Sequence, residues 1–521
     1  MSARGQHSLI TYRTRSLDSE ASGFYPDEQG AHPCGFTIHE NKHRFRSSHL
    51  FYQTNILMKT KDLIFLGVPA GEPIQHAHDF IQRYIADGNE GARLGEEIFQ
   101  IVADPSAYFE DPLRAPLARA IYRPVFTPRA ELAPWRQWGD DLEADAVRQM
   151  ANACALPVAV AGALMPDAHP GYGLPIGGVI ATENAVIPYA VGVDIACRMK
   201  LTVYDRKSNV IAGQRDRLAN IIESETRFGI GCTFKDRRDH EVMDDDWTVS
   251  PVTRRLRDKA WSQLGTSGSG NHFVEFGAFT VSSDDLGLPH GEYLALLSHS
   301  GSRGTGAQVC DVYSKRAMAR RSNLPKELKH LAWLTLDEED GYEYWNAMNL
   351  MGRYAAANHE LIHKHIAKKL GARVILDIEN HHNFAWKERH VLNGQMRELI
   401  VHRKGATPAG KGVLGIIPGS MATPGFVVRG KGQPESLNSA SHGAGRVMSR
   451  TKALQSFTWS GTKKLLAERG VELLSAGLDE VPGVYKDIHS VMAAQSDLDD
   501  VLGRFDPKLV KMCPPGERAE D

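Results

Sequence analysis

Between about residues 50 and 125, apolar side chains recur at helical spacing. Phe80, Ile81 and Tyr84 share a face, and Leu94, Ile98 and Ile101 follow at intervals of four and three. Pro105 and Pro112 punctuate the end of the pattern. Leu142, Ala146 and Met150 recur every fourth residue within WRQWGDDLEADAVRQMANA (135–153), which predicts a further helix. The unbroken apolar run ALPVAVAGALMP (155–166) predicts a buried strand and is too short to span a bilayer. Beyond it, the β-type runs GGVIAT, AVIPYAVGV and EYLALLSHS alternate with Gly-rich turns, and the segment 307–370 returns to helical spacing. Residues 1–48 show no period and are rich in Gly, Ser and charge, which predicts a flexible extension. The basic HENKHRFR stretch (39–46) within it reads as a solvated tail rather than a phosphate-binding arm. The expected order is therefore the extension (1–48), a helical accessory domain (49–130) and a mixed main body (131–521).

Composition narrows the class. The chain of 521 residues is 42% hydrophobic and 24% charged, which describes a globular protein large enough for more than one domain. Its formal net charge is −2, so any nucleic-acid contact must come from a local basic patch. Six cysteines at 34, 154, 197, 232, 310 and 513 have no pairing rhythm, which argues for a reducing cytoplasm. The N-terminus lacks the apolar core of a signal peptide. No repeat of 20 to 50 residues, Walker A sequence or G-x-G-x-x-G opening a βαβ unit is present, which argues against a solenoid and the commonest nucleotide-binding folds.

The chemistry lies in six short clusters: PDAHPGYG (166–173), VGVDIACR (191–198), GSGNHFVEFG (268–277), SHSGSRGTG (298–306), NHHNFAWKE (380–388) and SASHGAGR (439–446). Their ligand-type residues are single and far apart, unlike the paired spacing of a local zinc finger, and suit a site assembled by folding. Asp194 and Cys197 lie three apart. Both are anionic when deprotonated, a conflict that a divalent cation removes; a buried neutral thiol beside a capping Asp is the alternative. With His272, His299 and His382 they would give Cys/His/His and Cys/His/Asp sets, enough for two metals bridged by one thiolate. Sulfur and imidazole favour zinc and the carboxylate permits manganese, and the residue types do not choose. HRKGAT (402–407) and IPGSMATPG (417–425) combine cations, hydroxyls and exposed amides suited to a polyphosphate. His442, between small residues and four before Arg446, has the setting of either a nucleophile or a turn-capping histidine.

In this order, PDAHPGYGLPIGG, VGVDIAC, GSGNHFVE, HSGSRG, HHN, RKGAT, IPGSM and SHGAGRVMSR resemble the motifs of RtcB-type RNA-splicing ligases over roughly residues 135–490. The resemblance implies an α+β, RtcB-like catalytic fold preceded here by a small helical N-terminal domain. It also implies a GTP- and Mn2+-dependent enzyme, with two ions, that joins RNA 3′-phosphate or 2′,3′-cyclic phosphate ends to 5′-hydroxyl ends in RNA repair or tRNA splicing. Asp194, Cys197, His272, His299 and His382 are the implied metal ligands, and His442 the implied acceptor of GMP. Asn271, Glu275, His382, Asn383, Pro418, Gly419, Ser420, Met421, Gly443, Ala444, Gly445 and Tyr485 are the implied nucleotide pocket, with His442 among them. Arg303, Arg403, Lys404 and Arg446 are candidates to hold phosphates. Implied partners are RNA with broken ends, GTP and an archease-like activator, with no membrane, no stable DNA partner and a cytoplasmic location.

Three departures from the family pattern stand out. The chain ends CPPGERAED rather than Lys-Gly, leaving Arg518 as the candidate substitute for a guanine-reading lysine. The loop PAGKGVLGI between RKGAT and IPGSM is short, and Gly425 stands where the family has a serine. These features suggest a paralogous branch. Two other functions compete. HELIH (359–363) fits the H-E-x-x-H helix of zinc metallopeptidases, but no third ligand or Met-turn follows, so its histidines are expected to be surface or structural. A non-catalytic RNA-binding relative is disfavoured because all five ligand positions and His442 are intact.

Overall fold

In the computed structural model, residues 58–122 and 126–517 are described. The extension 1–48, its HENKHRFR segment and Arg518 lie outside them. The chain forms two compact units that divide between Ile121 and Tyr122.

The first unit contains the helices Thr60–Phe65, Glu72–Ala86, Leu94–Ala103 and Ala115–Ile121. Phe80, Ile81, Tyr84, Leu94, Ile98 and Ile101, placed on common faces by their spacing, all enter its core. The second unit mixes helix and sheet, the α+β class expected. Its strands used below are β1 (Trp135–Gln137), β2 (Ala159–His169), β3 (Ile176–Thr182), β4 (Arg198–Lys207), β5 (Phe273–Val281) and β6 (Gly291–Ser300). They continue with β7 (Val374–His381), β8 (Asn383–Leu392), β9 (Gln395–Lys404), β10 (Leu414–Ile417), β11 (Gly425–Gly430) and β12 (Asp499–Met512). One sheet runs β1-β2-β3-β9-β8 and the larger one β10-β11-β12-β5-β6-β4-β7. The larger sheet curls until its edges meet, and Ile416 N on β10 donates to Asn380 Oδ1 on β7 at 2.9 Å.

Alternation along the curled sheet sorts side chains onto two faces. Met199, Leu201, Val203, Ala295, Leu297 and Phe505 fill the interior. Leu294, Leu296, Val274 and Phe276 face out and are covered by Leu218 and Ile222 of the helix Arg215–Glu225 and by Ile362 and Ile366 of the long helix Glu339–Leu370. Register then fixes the chemistry. Pairing sets His299 opposite both Met199 and Phe273 at the open end of the interior. His381 lies opposite Arg198, so Cys197 and His382 emerge side by side.

Two expectations need correction. AVIPYAVGV is not a strand throughout: only Ala185–Val186 is extended, and Pro188–Val191 forms a helical turn, because Pro188 sets its first-turn φ and supplies no ladder donor. The helix near 135–153 begins only at Ala144, since Trp135–Gln137 pairs in parallel with β2. No helix among the described residues is long and apolar enough to cross a membrane.

Candidate active site

A cavity of about 600 Å³ lies within the second unit where the two sheets meet. His442, Asn271, Glu275, His382, Asn383, Pro418, Gly419, Ser420, Met421, Gly443, Ala444, Gly445 and Tyr485 all line it, as do Asp194, Cys197 and His299. His272 sits behind Cys197 and contacts it directly.

The five ligand-type residues close into a chain. Asp194 Oδ2 lies 3.0 Å from His272 Nε2, and that nitrogen lies 3.3 Å from Cys197 Sγ. Cys197 Sγ lies 3.0 Å from His299 Nε2, which is 3.2 Å from His382 Nε2. Among the described residues the donor atoms of Cys197, His272 and His299 lie within 4.8 Å of one another, with Asp194 and His382 at the two ends of the chain. Local backbone makes this possible: Ala196, between Asp194 and Cys197, takes φ 59°, a conformation costing an L-residue about 1–2 kcal/mol. Its amide is held by the Asn383 carbonyl at 2.7 Å. Gly301 is needed for space, since a Cβ there would stand 2.1 Å from Asp194 Oδ2.

Protonation explains what the knot is for. Burial, reinforced by His272, pushes His299 down to about 3, and burial with the nearby His442 holds His382 well below the ordinary histidine range. Burial acts to raise Asp194, but the hydrogen bond from His272 brings its carboxyl below the usual carboxylate value. Imidazoles, a carboxylate and a cysteine sulfur are thus crowded together by their donor atoms, and His272 Nδ1 and His382 Nδ1 are buried without a hydrogen bond. Ligands on one tetrahedral ion stand roughly 3.5 Å apart, given metal–ligand distances of about 2.0–2.3 Å. The spacing and donor chemistry fit a divalent cation.

Beside this knot the His382 and His442 rings lie 4.9 Å apart. His442 Nδ1 meets Asp167 Oδ2 at 2.7 Å, and the same oxygen accepts from the backbone amides of His442 (3.1 Å) and Gly443 (3.3 Å). That carboxylate fixes the tautomer with hydrogen on Nδ1 and leaves Nε2 a lone pair. Asp167 is held in turn by close packing: Gly445, at φ 74°, approaches so nearly that a Cβ would stand 2.1 Å from the Asp167 carbonyl oxygen. Behind the loop, Gln495 Oε1 accepts from Ser441 N at 2.9 Å while its Nε2 donates to Asp499 at 2.7 Å.

The phosphate candidates separate. Lys404 lines the cavity, donates to the carbonyls of Tyr172 (2.6 Å) and Leu174 (3.1 Å), and is pushed down to about 8 by burial. Arg446 also lines it, bound to Glu480 at 3.1 Å and to the Asp479 carbonyl at 2.9 Å. Arg303 and Arg403 do not reach it. Arg303 is buried against Thr266 and the Gly229 carbonyl, and Arg403 pairs with Glu388 and the Leu437 carbonyl, because both occupy positions where the surrounding backbone needs a donor. The HELIH histidines are buried rather than at the surface, His359 fully and His363 at 3% exposure. Sequence reasoning missed Asp167, His169, Arg450 and Glu480 as cavity or partner residues, although the first two lie within PDAHPGYG and Arg450 within RVMSR. Burial raises Glu275 well above the usual carboxylate range, which favours the neutral form of the carboxyl it presents to the cavity.

The fold and site define a protein with a buried cysteine–histidine–aspartate centre beside an oriented histidine. A profile described as tRNA-splicing ligase RtcB matches residues 149–248 and 237–512. The RNA-splicing ligase RtcB of Escherichia coli (strain K12) is 34% identical over 411 residues, covering 71% of this chain and 95% of its own. The tRNA-splicing ligase RtcB of Methanococcus maripaludis is 30% identical over 447 residues, covering 72% and 92%. The RNA-splicing ligase RtcB of Mycobacterium bovis is 31% identical over 427 residues, covering 69% and 98%. The chain belongs to the RtcB family.

Two outcomes follow from the geometry. Gly301→Ala must displace the Asp194 carboxylate, so purified variant should retain its fold by circular dichroism and carry at most half the bound divalent metal of the parent by elemental analysis. Burial pushes Asp499 up to about 7 from an ordinary value of 3.8, so the folded protein keeps a proton that the unfolded chain releases. Stability contributed this way is full below about pH 4 and is lost as pH rises toward 7. Asp499→Asn should therefore exceed the parent in urea unfolding at pH 8 by about 2–4 kcal/mol and match it at low pH.

Proposed function

We propose that this protein is an RNA ligase that joins RNA 3′-phosphate or 2′,3′-cyclic phosphate ends to 5′-hydroxyl ends, consuming GTP through a GMP adduct on His442. The observation that carries the reading is the Asp167–His442 pair: a histidine at the cavity wall with Nδ1 tied to a buried carboxylate and Nε2 left as a nucleophile.

In this reading Nε2 attacks the α-phosphorus of GTP, an N–P bond forms, the bond to the bridging oxygen breaks and pyrophosphate leaves. Asp167 stabilises the imidazolium character that develops as the lone pair is donated. A 3′-phosphate oxygen of the RNA then displaces His442, and GMP becomes joined to the RNA end. The 5′-hydroxyl attacks that 3′-phosphorus, GMP departs and the strand is sealed. A cyclic phosphate must first be opened by water.

Asn271, Glu275, Asn383, Pro418–Met421, Gly443–Gly445 and Tyr485 would hold the nucleotide, with protonated Glu275 able to donate as well as accept. Lys404, Arg446 and Arg450 would meet the phosphates; the two arginines share Glu480, which aims them along one wall. Asp194, Cys197, His272, His299 and His382 would hold two Mn2+ ions with Cys197 shared, and bound ions supply positive charge against which phosphate oxygens develop theirs.

Incubation with α-labelled GTP and Mn2+ should leave acid-labile, base-stable label on the protein. His442→Ala should abolish it, while Asp167→Asn should slow its formation by roughly 10²-fold or more, since an oriented base partner contributes on that scale. Label that survives His442→Ala removes the assignment. Cys197→Ala, losing the residue common to both proposed ligand sets, should reduce bound metal and GMP transfer more than any single histidine substitution, with a folded protein by circular dichroism. Near-parental metal content in that variant would exclude a shared thiolate.

A further inference from the structure

Among the described residues the HELIH histidines join no group that could hold a metal ion, yet they occupy an expensive position. The helix Glu339–Leu370 packs Ile362, Ile366 and Leu370 against the outer face of the curled sheet. Within that apolar face lie three fully or almost fully buried polar residues, Asn358, His359 and His363. Buried polar groups cost free energy unless each is bonded, and leucine would fill such positions without that demand.

Every one of their bonds runs to a segment that carries a ligand-type residue or braces one. Asn358 Oδ1 accepts from Gly265 N at 2.8 Å, at the base of the loop leading to His272. Its Nδ2 donates to the Gly301 carbonyl at 3.0 Å. Gly301 is the residue whose Cα lies against the Asp194 carboxylate, and the next amide, Ser302 N, donates to Asp194 Oδ1 at 3.1 Å. Ser298, immediately before His299 and on the opposite face of β6, has its hydroxyl 2.8 Å from both His359 Nδ1 and His363 Nε2.

The hydrogens in this seam have one consistent arrangement. Thr202 Oγ1 donates to the Asp377 carboxylate at 2.6 Å, so its contact with His363 Nδ1 at 2.7 Å requires that nitrogen to donate. Burial and the Lys200 ammonium keep His363 neutral, so its Nε2 accepts from the Ser298 hydroxyl. Ser298 must then accept from His359 Nδ1. A directional chain runs from the long helix through the strand bearing His299 to a carboxylate on β7.

We infer that Asn358, His359 and His363 are positioning residues that clamp the segments carrying Asp194, His272 and His299 into the spacing a metal ion requires. The inference rests on the metal reading above. Partners behind metal ligands typically change affinity by about 10–100-fold when removed, because ligands that must be reordered bind more weakly.

Cobalt(II) is the probe, since its thiolate absorption band reports the geometry around Cys197 and its titration reports affinity. Asn358→Leu and His359→Leu should each weaken Co2+ binding by about 10-fold or more and shift the band. His359→Asn restores a donor at the Nδ1 position and should recover most of the loss, which a generic packing role does not predict. Glu360→Gln, on the same motif but exposed and facing His240, should match the parent. Ser298→Ala deletes one oxygen and serves if the leucine variants fail to fold; it should also weaken binding. Parental affinity and spectrum in folded Ser298→Ala and Asn358→Leu would overturn the inference. A parent protein that shows no cobalt–thiolate band would instead overturn the metal centre itself, and the positioning role with it.

Discussion

Five ligand-type side chains form a continuous chain of contacts, each link 3.0 to 3.3 Å long, in the interior of this protein, and the rest of the second unit is arranged so that they can. Left alone, such a knot is unfavourable: His299 and His382, kept neutral by burial, each have one ring N–H to donate, and the Asp194 carboxylate has none. The strands that meet here bring these ligand-type residues from four separate stretches of sequence. β6 supplies His299 from its inner face, the turn before β4 supplies Asp194 and Cys197, the loop before β5 supplies His272, and the junction after β7 supplies His382. Antiparallel pairing, which fixes who lies opposite whom, is thus the source of the chemistry.

The same register explains the division of labour around the cavity. Inner-face positions pass from apolar filling at Leu201 and Ala295 to functional groups at His299 and Glu275 as the strands reach the open end. Outer-face positions pass from Leu294 and Leu296 to Ser298 over the same distance. A single alternation therefore delivers the ligand-type His299 to one side and Ser298, bonded to the long helix, to the other.

The helical unit, the buried strand after 155 and the long helical stretch to 370 were legible because each carries a strong period or an unbroken apolar run. The cavity residues were legible for a different reason: Gly-rich clusters at the ends of β runs mark where backbone approaches something closely. What could not be read was partnership. Arg303 and Arg403 have the right charge for phosphate, but carbonyl groups contributed by distant loops claim them. Asp167 stands 275 residues from His442, and nothing local in PDAHPGYG distinguishes it from the histidine two places on. The AVIPYAVGV run misled because its apolar content is real but Pro188 removes the ladder donor.

His382 is the single residue between β7 of the curled sheet and β8 of the other, and Ala406 N, at the far side of the β8–β9 hairpin, donates to its carbonyl at 3.2 Å. An ion held, as proposed, by His382 together with His299 would therefore be a rivet through the seam of the two sheets. Chelation and sheet separation would then be one thermodynamic coordinate: whatever loosened the seam would weaken the grip, and whatever filled the grip would raise the temperature at which the seam parts.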